Sequence, residues 1–306
     1  AGGDGCELDG NTDNGNCGAC GTVCGGGTVC VDGSCAAGND PRSGAVLVTL
    51  SPGSAEASLS GSTVGASHDG PSPCGCTTGA NVWYHFDFAE EVVFYADTAG
   101  SSFDTSLFLV DAAGTAISGF CSDDGGCSSG DFTSSLQSRI YGVLPAGGYD
   151  LAVGGCATGT FVLHAQAVPT SAGALFVAPR LSGDSSAAGT LLGTSELTGA
   201  CASTACAEEV RWFVSCGGQS QLFSLCPADG GTFTRQIGST YYDPVLYARS
   251  AQSGAEIGCN DDGSGVDCKG TGGDTSNYGA RLPAVVAPRG LSTVVVDARG
   301  STAGMV

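Results

Sequence analysis

The chain has 306 residues, of which 52 are Gly and 17 are Cys, and a formal net charge of -20 at pH 7. This acidic balance argues against binding of nucleic acids and of anionic membranes, which both need basic surfaces, and no apolar run reaches the ~20 residues of a membrane-spanning helix. Cysteine at this density predicts disulfides and an extracellular or cell-surface location.

Residues 1–38 form a Cys-rich segment with few large apolar side chains. Disulfides among its cysteines are therefore expected to replace a hydrophobic core. Six cysteines allow fifteen pairings, and the sequence does not choose among them. We predict a small disulfide-rich module, with the cysteines Cys6, Cys17, Cys20, Cys24, Cys30 and Cys35.

A linker of loop composition leads into residues 45–168, which predict a first antiparallel β-sandwich. Short apolar and β-branched runs alternate here with Gly, Ser and Asp turns, as they do in all-β sandwiches. No stretch shows a helical period. The expected strands are Ala45–Leu50, Val82–Phe88, Val92–Ala96, Thr105–Val110, Arg139–Leu144, Gly148–Val153 and Thr160–Ala167.

Residues 174–306 repeat this plan and predict a second sandwich. Trp212 aligns with Trp83, and each tryptophan is expected to anchor a core, with stacking on a sugar as the alternative. The second copy reaches 304–306 where its last strand should begin, so this sandwich is expected to be incomplete. Either the native chain is longer, or a neighbouring molecule donates a strand to the open edge. The segment Ala45–Leu50 is one candidate donor.

The repeated unit contains an acidic loop. In each copy an aspartate begins an apolar strand, and Asp-Asp-Gly follows the next strand. Carboxylates held close together repel one another unless a cation lies among them, and Ca²⁺ prefers oxygen ligands. We predict two Ca²⁺ sites, with plain turns as the alternative interpretation. The predicted ligands are Asp104, Asp123, Asp124 and Asp131 in the first copy and Asp243, Asn260, Asp261, Asp262 and Asp267 in the second.

Cysteines flank both acidic loops. We expect the disulfides Cys121–Cys127 and Cys259–Cys268 to close these loops, each stabilising the fold by roughly 2–3 kcal/mol in the chain-entropy model. The odd total of 17 cysteines leaves one unpaired within the chain. Since Cys74 and Cys76 are too close in sequence to bridge each other comfortably, one is expected to pair with Cys156. The other is expected to be free or linked to another chain.

Several short motifs follow one another in a fixed order in the two copies. They are Asp-Thr-Ser-Leu-Phe-Leu at 104–109, Ser-Asp-Asp-Gly at 122–125, Leu-Pro-Ala-Gly-Gly-Tyr-Asp-Leu-Ala-Val at 144–153, Asp-Pro-Val-Leu-Tyr at 243–247 and Asn-Asp-Asp-Gly at 260–263. This order resembles the pre-peptidase C-terminal family of bacterial β-sandwiches. The second copy departs from the family at 288–292, where the Gly-Tyr of the family is absent. The resemblance implies two jelly-roll-like domains that accompany secreted peptidases and are not themselves catalytic. The Cys-rich segment resembles short modules of secreted bacterial proteins, which implies export.

An enzyme is not expected, because the histidines His68, His85 and His164 lie in no catalytic motif. Ser67, His68 and Asp69 are sequence neighbours, and adjacency does not supply triad geometry. The sequence favours a non-catalytic structural or adhesive protein, a self-associating subunit of an extracellular fibre or coat stabilised by disulfides and Ca²⁺. Cell-surface or matrix polymers are further candidate partners. The alternative is an accessory module that binds protein or polysaccharide for a secreted hydrolase or peptidase.

Overall fold

The computed structural model shows an all-β protein, which confirms the predicted fold class. Its described residues form nineteen strands and two short 3-10 helices, and none of these helices is long and apolar enough to cross a membrane. The structure describes residues 16–22, 28–31, 33–50, 56–71, 74–75, 79–170, 199–201, 209–230, 236–237, 240–241, 243–263, 267–270 and 278–299.

The chain divides into two compact units. The first consists of Ala1–Ser51, Glu56–Ser128 and Phe132–Ala167, and the second of Pro52–Ala55, Ser129–Asp131 and Val168–Val306. The described part of the Cys-rich segment therefore groups with the first unit.

The first unit begins with a small cross-linked hairpin. β1 (Thr28–Val31) pairs antiparallel with β2 (Ser34–Ala37) around Gly33, whose φ of 78° suits a tight turn. Cys30 of β1 is bonded to Cys17. Cys20 and Cys35 are also disulfide-bonded, as the composition predicts for a segment without a core.

Nine of the strands form the sandwich of the first unit. Its two sheets have the orders β3-β5-β10-β7-β8 and β4-β11-β6-β9. Six of the seven predicted strands agree with the structure to within two residues, but β3 is shorter than predicted and pairs in parallel with β5. The strands are β3 (Val46–Leu47), β4 (Ala57–Ser62), β5 (Val82–Phe88), β6 (Val92–Asp97), β7 (Thr105–Asp111), β8 (Ala116–Ser122), β9 (Arg139–Leu144), β10 (Gly147–Gly155) and β11 (Thr160–Pro169).

The core of the first unit lies between its two sheets. Successive side chains of a strand point to opposite faces, so Phe86 of β5 faces the core while Trp83 faces away from it. Phe86 meets Phe94 of the opposite sheet, with ring centroids 5.2 Å apart. Such aromatic pairs supply much of the buried apolar area in a chain that has few large apolar residues.

The outer face of the five-stranded sheet is buried as well. Trp83 is 0% exposed and packs edge-on against Phe108, with ring centroids 5.5 Å apart. Its indole N–H donates to Asp69 Oδ1 at 2.5 Å. Trp83 is therefore the anchor that the sequence predicts, and its ring is not available for stacking on a sugar.

Arg42 fastens the segment before β3 to this outer face. It lies in the 3-10 helix Arg42–Gly44, and its Nε donates to Asp150 Oδ2 at 2.6 Å. Its Nη2 donates to the carbonyl of Asp111 at 2.7 Å, and its backbone N–H donates to Asp69 Oδ2 at 3.1 Å. One residue thereby joins the N-terminal segment to β7, β10 and the loop before β5.

The second unit repeats part of this architecture. The sheet order β12-β19-β16-β17 matches β5-β10-β7-β8, and the pair β13-β18 matches β6-β9. Phe213, Leu246, Leu282 and Val294 fill its core. The strands are β12 (Glu209–Cys216), β13 (Ser220–Ser224), β14 (Gln236–Ile237), β15 (Thr240–Tyr241), β16 (Pro244–Ser250), β17 (Glu256–Asn260), β18 (Arg281–Val286) and β19 (Arg289–Ala298), with a 3-10 helix at Pro227–Asp229.

The strand registers correct the predicted alignment of the two tryptophans. When β7 and β16 are superposed on their opening aspartates, Trp212 corresponds to His85 and Trp83 to Val210. The predicted alignment is wrong by two residues. A shift of two leaves a side chain on the same face of a sheet, and both tryptophans are indeed buried.

Every cysteine in the described part of the chain is disulfide-bonded. The bonds Cys74–Cys121, Cys201–Cys259 and Cys226–Cys268 show that the predicted loop-closing pairs Cys121–Cys127 and Cys259–Cys268 are wrong. Cys121 and Cys259 lie on strands and pack against the outer faces of their sheets, where earlier segments of the chain supply their partners. Cys74 is therefore not the free thiol, and Cys76 lies outside the described residues.

Replacing Trp83 tests the role of the buried outer face. Trp83→Ala should lower the free energy of unfolding of the first unit by about 3–5 kcal/mol, the usual cost of removing a large buried side chain. Chemical denaturation followed by circular dichroism measures the change. Val64, which is 60% exposed, provides the control, and Val64→Ala should change the stability by less than about 0.5 kcal/mol.

Alkylation of native protein without reductant tests the disulfide assignment. Because the described cysteines are bonded and the total of 17 is odd, mass spectrometry should find about one labelled site per chain. Labelling of several sites would contradict the assignment. A parallel sample reduced and alkylated in denaturant should carry a label on every cysteine.

Candidate functional site

The hairpin of β7 and β8 brings two predicted ligands of the first copy together. Leu107 opposes Ser122 in its antiparallel register, so Asp104, just before β7, and Asp123, just after β8, lie at the same end. Carboxylate oxygens of Asp104 and Asp123 and the Sγ of Cys156 all lie within 4.8 Å of one another. We call this group, with the adjacent Asp124, the first acidic cluster.

Burial and mutual repulsion act on these carboxylates. Burial raises the pKa of Asp104, and the charges of Asp123 and Asp124 raise it further. Burial also raises the pKa of Asp123, and Asp124 adds to that shift. Asp104 Oδ1 is buried and accepts no hydrogen bond from any described residue. Crowded carboxylates with an unsatisfied oxygen fit the preference of Ca²⁺ for oxygen ligands.

Hydrogen bonds fix the loop that carries Asp123. The Gly125 N–H donates to the carbonyl of Gln137 at 2.9 Å. Ser138 Oγ lies 2.6 Å from the Asp123 carbonyl oxygen and 2.5 Å from the Thr105 carbonyl oxygen. Ser138, just before β9, therefore holds the loop against the start of β7.

A disulfide holds a second segment against the same carboxylate. Cys74 is bonded to Cys121, and the next residue, Gly75, has a φ of 62°. A Cβ atom on Gly75 would overlap the carboxylate of Asp123. Glycine is therefore required here both for its backbone conformation and for the close approach.

The second copy contains an equivalent group, which we call the second acidic cluster. Leu246 opposes Asn260, as Leu107 opposes Ser122. Carboxylate oxygens of Asp243, Asp261 and Asp262 lie within 4.8 Å of one another.

Arg299 makes the electrostatics of the second cluster different from those of the first. Its Nη1 donates to Asp261 Oδ2 at 2.6 Å, whereas Asp261 Oδ1 is buried and accepts no hydrogen bond from the part of the chain that the structure describes. Burial raises the pKa of Asp261, Arg299 opposes that shift, and the charge of Asp262 adds to it. Asp261 is thus partly compensated by a neighbouring guanidinium.

Four of the nine predicted ligands lie outside the two groups of oxygens. Asp124 is exposed and adjacent to the first group, and the other three have different surroundings. Asn260 Oδ1 accepts a backbone N–H at 2.9 Å, and Asp267 is exposed. Asp131 belongs to the second unit, where its Oδ2 lies 3.4 Å from Nε of Arg289. Binding of Ca²⁺ by any of the nine residues stays a prediction.

The sequence does not predict a polar cluster on the outer face of the first sandwich. His85 Nδ1 lies 2.6 Å from Asp150 Oδ1, and His85 Nε2 lies 3.2 Å from Asp87 Oδ1. The hydrogen bond to Asp150 raises the pKa of His85, burial opposes this, and Asp87 raises it further. Strand alternation places residues 83, 85 and 87 on one face. The remaining partners, Arg42 and Asp150, are far away in sequence.

The other histidines have separate partners. His164 Nδ1 lies 3.0 Å from Glu56 Oε1, and His68 Nδ1 lies 3.0 Å from the carbonyl of Gly79. Ser67 donates to Asp40, whereas Asp69 accepts from Trp83. The consecutive residues 67–69 therefore point to three different partners and do not form a triad.

Comparisons with known proteins give low similarity. No family model matches the chain, and no curated protein matches it. Among solved structures it is similar to the pre-peptidase C-terminal domain of a collagenase from Bacillus anthracis, with 14% identity and a TM-score of 0.27 over 40% of this chain and 94% of that chain.

Two further solved structures show weaker similarity. A protein of Eubacterium rectale that is thought to be secreted has 12% identity and a TM-score of 0.20, over 74% of this chain and 67% of that chain. Dimeric latent PorU from Porphyromonas gingivalis has 11% identity and a TM-score of 0.17, over 85% of this chain and 22% of that chain. The fold assignment rests on the strand order and not on these matches.

The pKa of His85 predicts a pH dependence of stability. Because its folded pKa is raised above the ordinary value of about 6.5, protonated His85 stabilises the first unit below about pH 6.5, and this contribution is lost as the pH rises through the folded pKa. Urea midpoints between pH 5.5 and 8.5 measure the effect, in steps of about half a unit. His85→Asn should flatten this part of the profile, whereas Val64→Ala, which removes no ionisable group, should leave it as in the wild type.

Proposed function

We propose that this chain is a secreted, non-catalytic structural or adhesive protein that forms part of an extracellular fibre or coat. Its two β-units, of the pre-peptidase C-terminal type, are each stabilised by disulfides, and Ca²⁺ bound at an acidic cluster adds to the stability of the fold. The observation that carries the proposal is the acidic cluster at the same end of the same hairpin in both units. The disulfides support it, since they are consistent with an extracellular location.

Asp104, Asp123 and Asp124 would hold the ion in the first unit. Bound Ca²⁺ supplies a charge that offsets the repulsion among these carboxylates. Asp104 precedes β7 and Asp123 follows β8, so the ion links the two ends of one hairpin. A ligand that binds only the folded state stabilises that state by mass action.

Self-association is the second part of the proposal. Among the described residues β13 pairs only with β18, whereas its counterpart β6 lies between β9 and β11. Leu222 and Val286 of this two-stranded sheet are 48% and 55% exposed. An edge strand with apolar side chains can accept a strand from another copy. Repetition of such a head-to-tail contact builds a filament when it does not close into a ring.

Thermal unfolding with and without Ca²⁺ tests the ion-binding part. Free Ca²⁺ at about 100 times its dissociation constant should stabilise the folded protein by about 2.7 kcal/mol, and a chelator should reverse this. Asp123→Asn combined with Asp124→Asn should remove part of the effect, because the first acidic cluster loses two charges.

A charge-matched control separates ion binding from net charge. Glu90 and Glu91 lie in the exposed turn between β5 and β6. Glu90→Gln combined with Glu91→Gln removes the same two charges and should leave the response to Ca²⁺ unchanged. Identical melting curves of the wild type with Ca²⁺ and with chelator would refute the calcium part.

Sedimentation velocity over a range of protein concentrations tests self-association. The wild type should form larger species as its concentration rises, and added Ca²⁺ should promote them because copies with a net charge of -20 repel one another. Leu222→Lys should weaken association by placing a charge on the β13 edge, whereas Val64→Lys should not. A wild type that stays monomeric yet binds a polysaccharide or a protein would favour an accessory binding module instead.

A further inference from the structure

The two acidic clusters differ at one equivalent position. In the first unit the backbone N–H of Cys156 donates to the carbonyl of Asp104 at 3.2 Å, and in the second unit that of Arg299 donates to the carbonyl of Asp243 at 2.7 Å. Cys156 directly follows β10, which pairs with β7, the strand that begins just after Asp104. Arg299 directly follows β19, which pairs with β16, the strand that begins just after Asp243. Cys156 and Arg299 are therefore counterparts.

Their side chains bring different charges to equivalent places. Sγ of Cys156 lies within 4.8 Å of the carboxylate oxygens of Asp104 and Asp123, and Cys156 is disulfide-bonded. It is therefore uncharged and is not a thiolate ligand. Arg299 instead directs Nη1 to Asp261 Oδ2 at 2.6 Å. A fixed positive charge is thus built into the second cluster at a position where the first cluster carries a neutral sulfur.

We propose that Arg299 is the built-in counter-cation of the second acidic cluster, so that a divalent cation such as Ca²⁺ binds only at the first cluster of the wild-type chain. This inference rests on the proposed binding of Ca²⁺ by the first cluster. A guanidinium and a divalent ion repel each other at short range, so an ion enters the second cluster only if Arg299 leaves Asp261. The Arg299 side chain is 47% exposed and that of Asp261 is 18% exposed, so the guanidinium is the more solvent-exposed partner of this ion pair.

In the second cluster the carboxylates are already assembled, so the charge of Arg299, and not their arrangement, opposes the binding of an ion. Carboxylate oxygens of Asp243, Asp261 and Asp262 already lie within 4.8 Å of one another. Cys201–Cys259 holds β17 two residues before Asp261, as Cys74–Cys121 does before Asp123. Removal of the guanidinium charge should therefore leave an assembled set of carboxylates that can take a cation.

Ion stoichiometry measured on the full chain tests the proposal. Calorimetric titration with Ca²⁺, with Tb³⁺ luminescence as a second readout, should give about one ion per wild-type chain and about two for Arg299→Met. Arg299→Lys keeps the positive charge and should stay at one. Asp261→Asn combined with Asp262→Asn should also stay at one, because these residues hold no ion in the wild type. The variant with Asp261→Asn and Asp262→Asn shows whether the second cluster holds an ion in the wild type even if Arg299→Met does not fold.

Stability provides an independent readout. In chelator, Arg299→Met should melt at a lower temperature than the wild type because the crowded carboxylates lose their counter-charge. Ca²⁺ should raise its melting temperature by more than it raises that of the wild type.

The outcomes separate this inference from the calcium function. Two ions per wild-type chain, or one ion in a folded Arg299→Met chain, would overturn the role of Arg299 and leave calcium binding intact. If the wild type binds none, the calcium function fails, and Arg299 keeps its assigned role only if Arg299→Met gains an ion. Binding by neither chain refutes both.

Discussion

The register of one hairpin is the constraint on which the acidic clusters and their disulfides depend. In the first unit the pairing of Phe108 with Cys121 turns Cys121 to the outer face of the sheet, where Cys74 reaches it. The same register ends β8 just before Asp123, opposite the start of β7. Tyr247 and Cys259 are paired in the same way in the second unit. A slip of one residue would move each cysteine to the other face and separate the aspartates.

Most strands could be predicted from the sequence because they bury a regular set of side chains. The aromatic strand Val82–Phe88 and the strand Arg139–Leu144 have the predicted bounds. β4, Ala57–Ser62, was not predicted, because its sequence Ala-Ser-Leu-Ser-Gly-Ser contains one large apolar residue and four small polar or flexible ones. Its pairing with β11 determines this strand, and pairing between distant segments is not visible in local composition.

Only those parts of the candidate sites that depend on neighbouring stretches of sequence could be predicted. Asp104 and Asp123 could be grouped because the strand–turn–strand pattern returns the chain to its starting end. The disulfides could not be assigned, because a bond needs two Cβ atoms a few ångströms apart, and Cys74 lies 47 residues before its partner Cys121 in the sequence. The contacts of Asp150 with Arg42 and His85 could not be predicted for the same kind of reason: three distant segments converge on a face that strand alternation alone describes as exposed.

The two clusters have the same backbone arrangement but different charges. The shape of the acidic loop and its capacity to bind an ion therefore have different causes. The Gly125 N–H donates to the Gln137 carbonyl, and the Gly263 N–H donates to the Gly279 carbonyl. Both loops are thus held by backbone hydrogen bonds and nearby disulfides, whether the adjacent group is a neutral sulfur or a guanidinium. Loops that are held in this way keep their carboxylates close together before an ion binds. The conformational entropy of the ligand side chains and their loop is then lost when the protein folds and not when an ion binds. Preorganisation of this kind favours affinity for the ion.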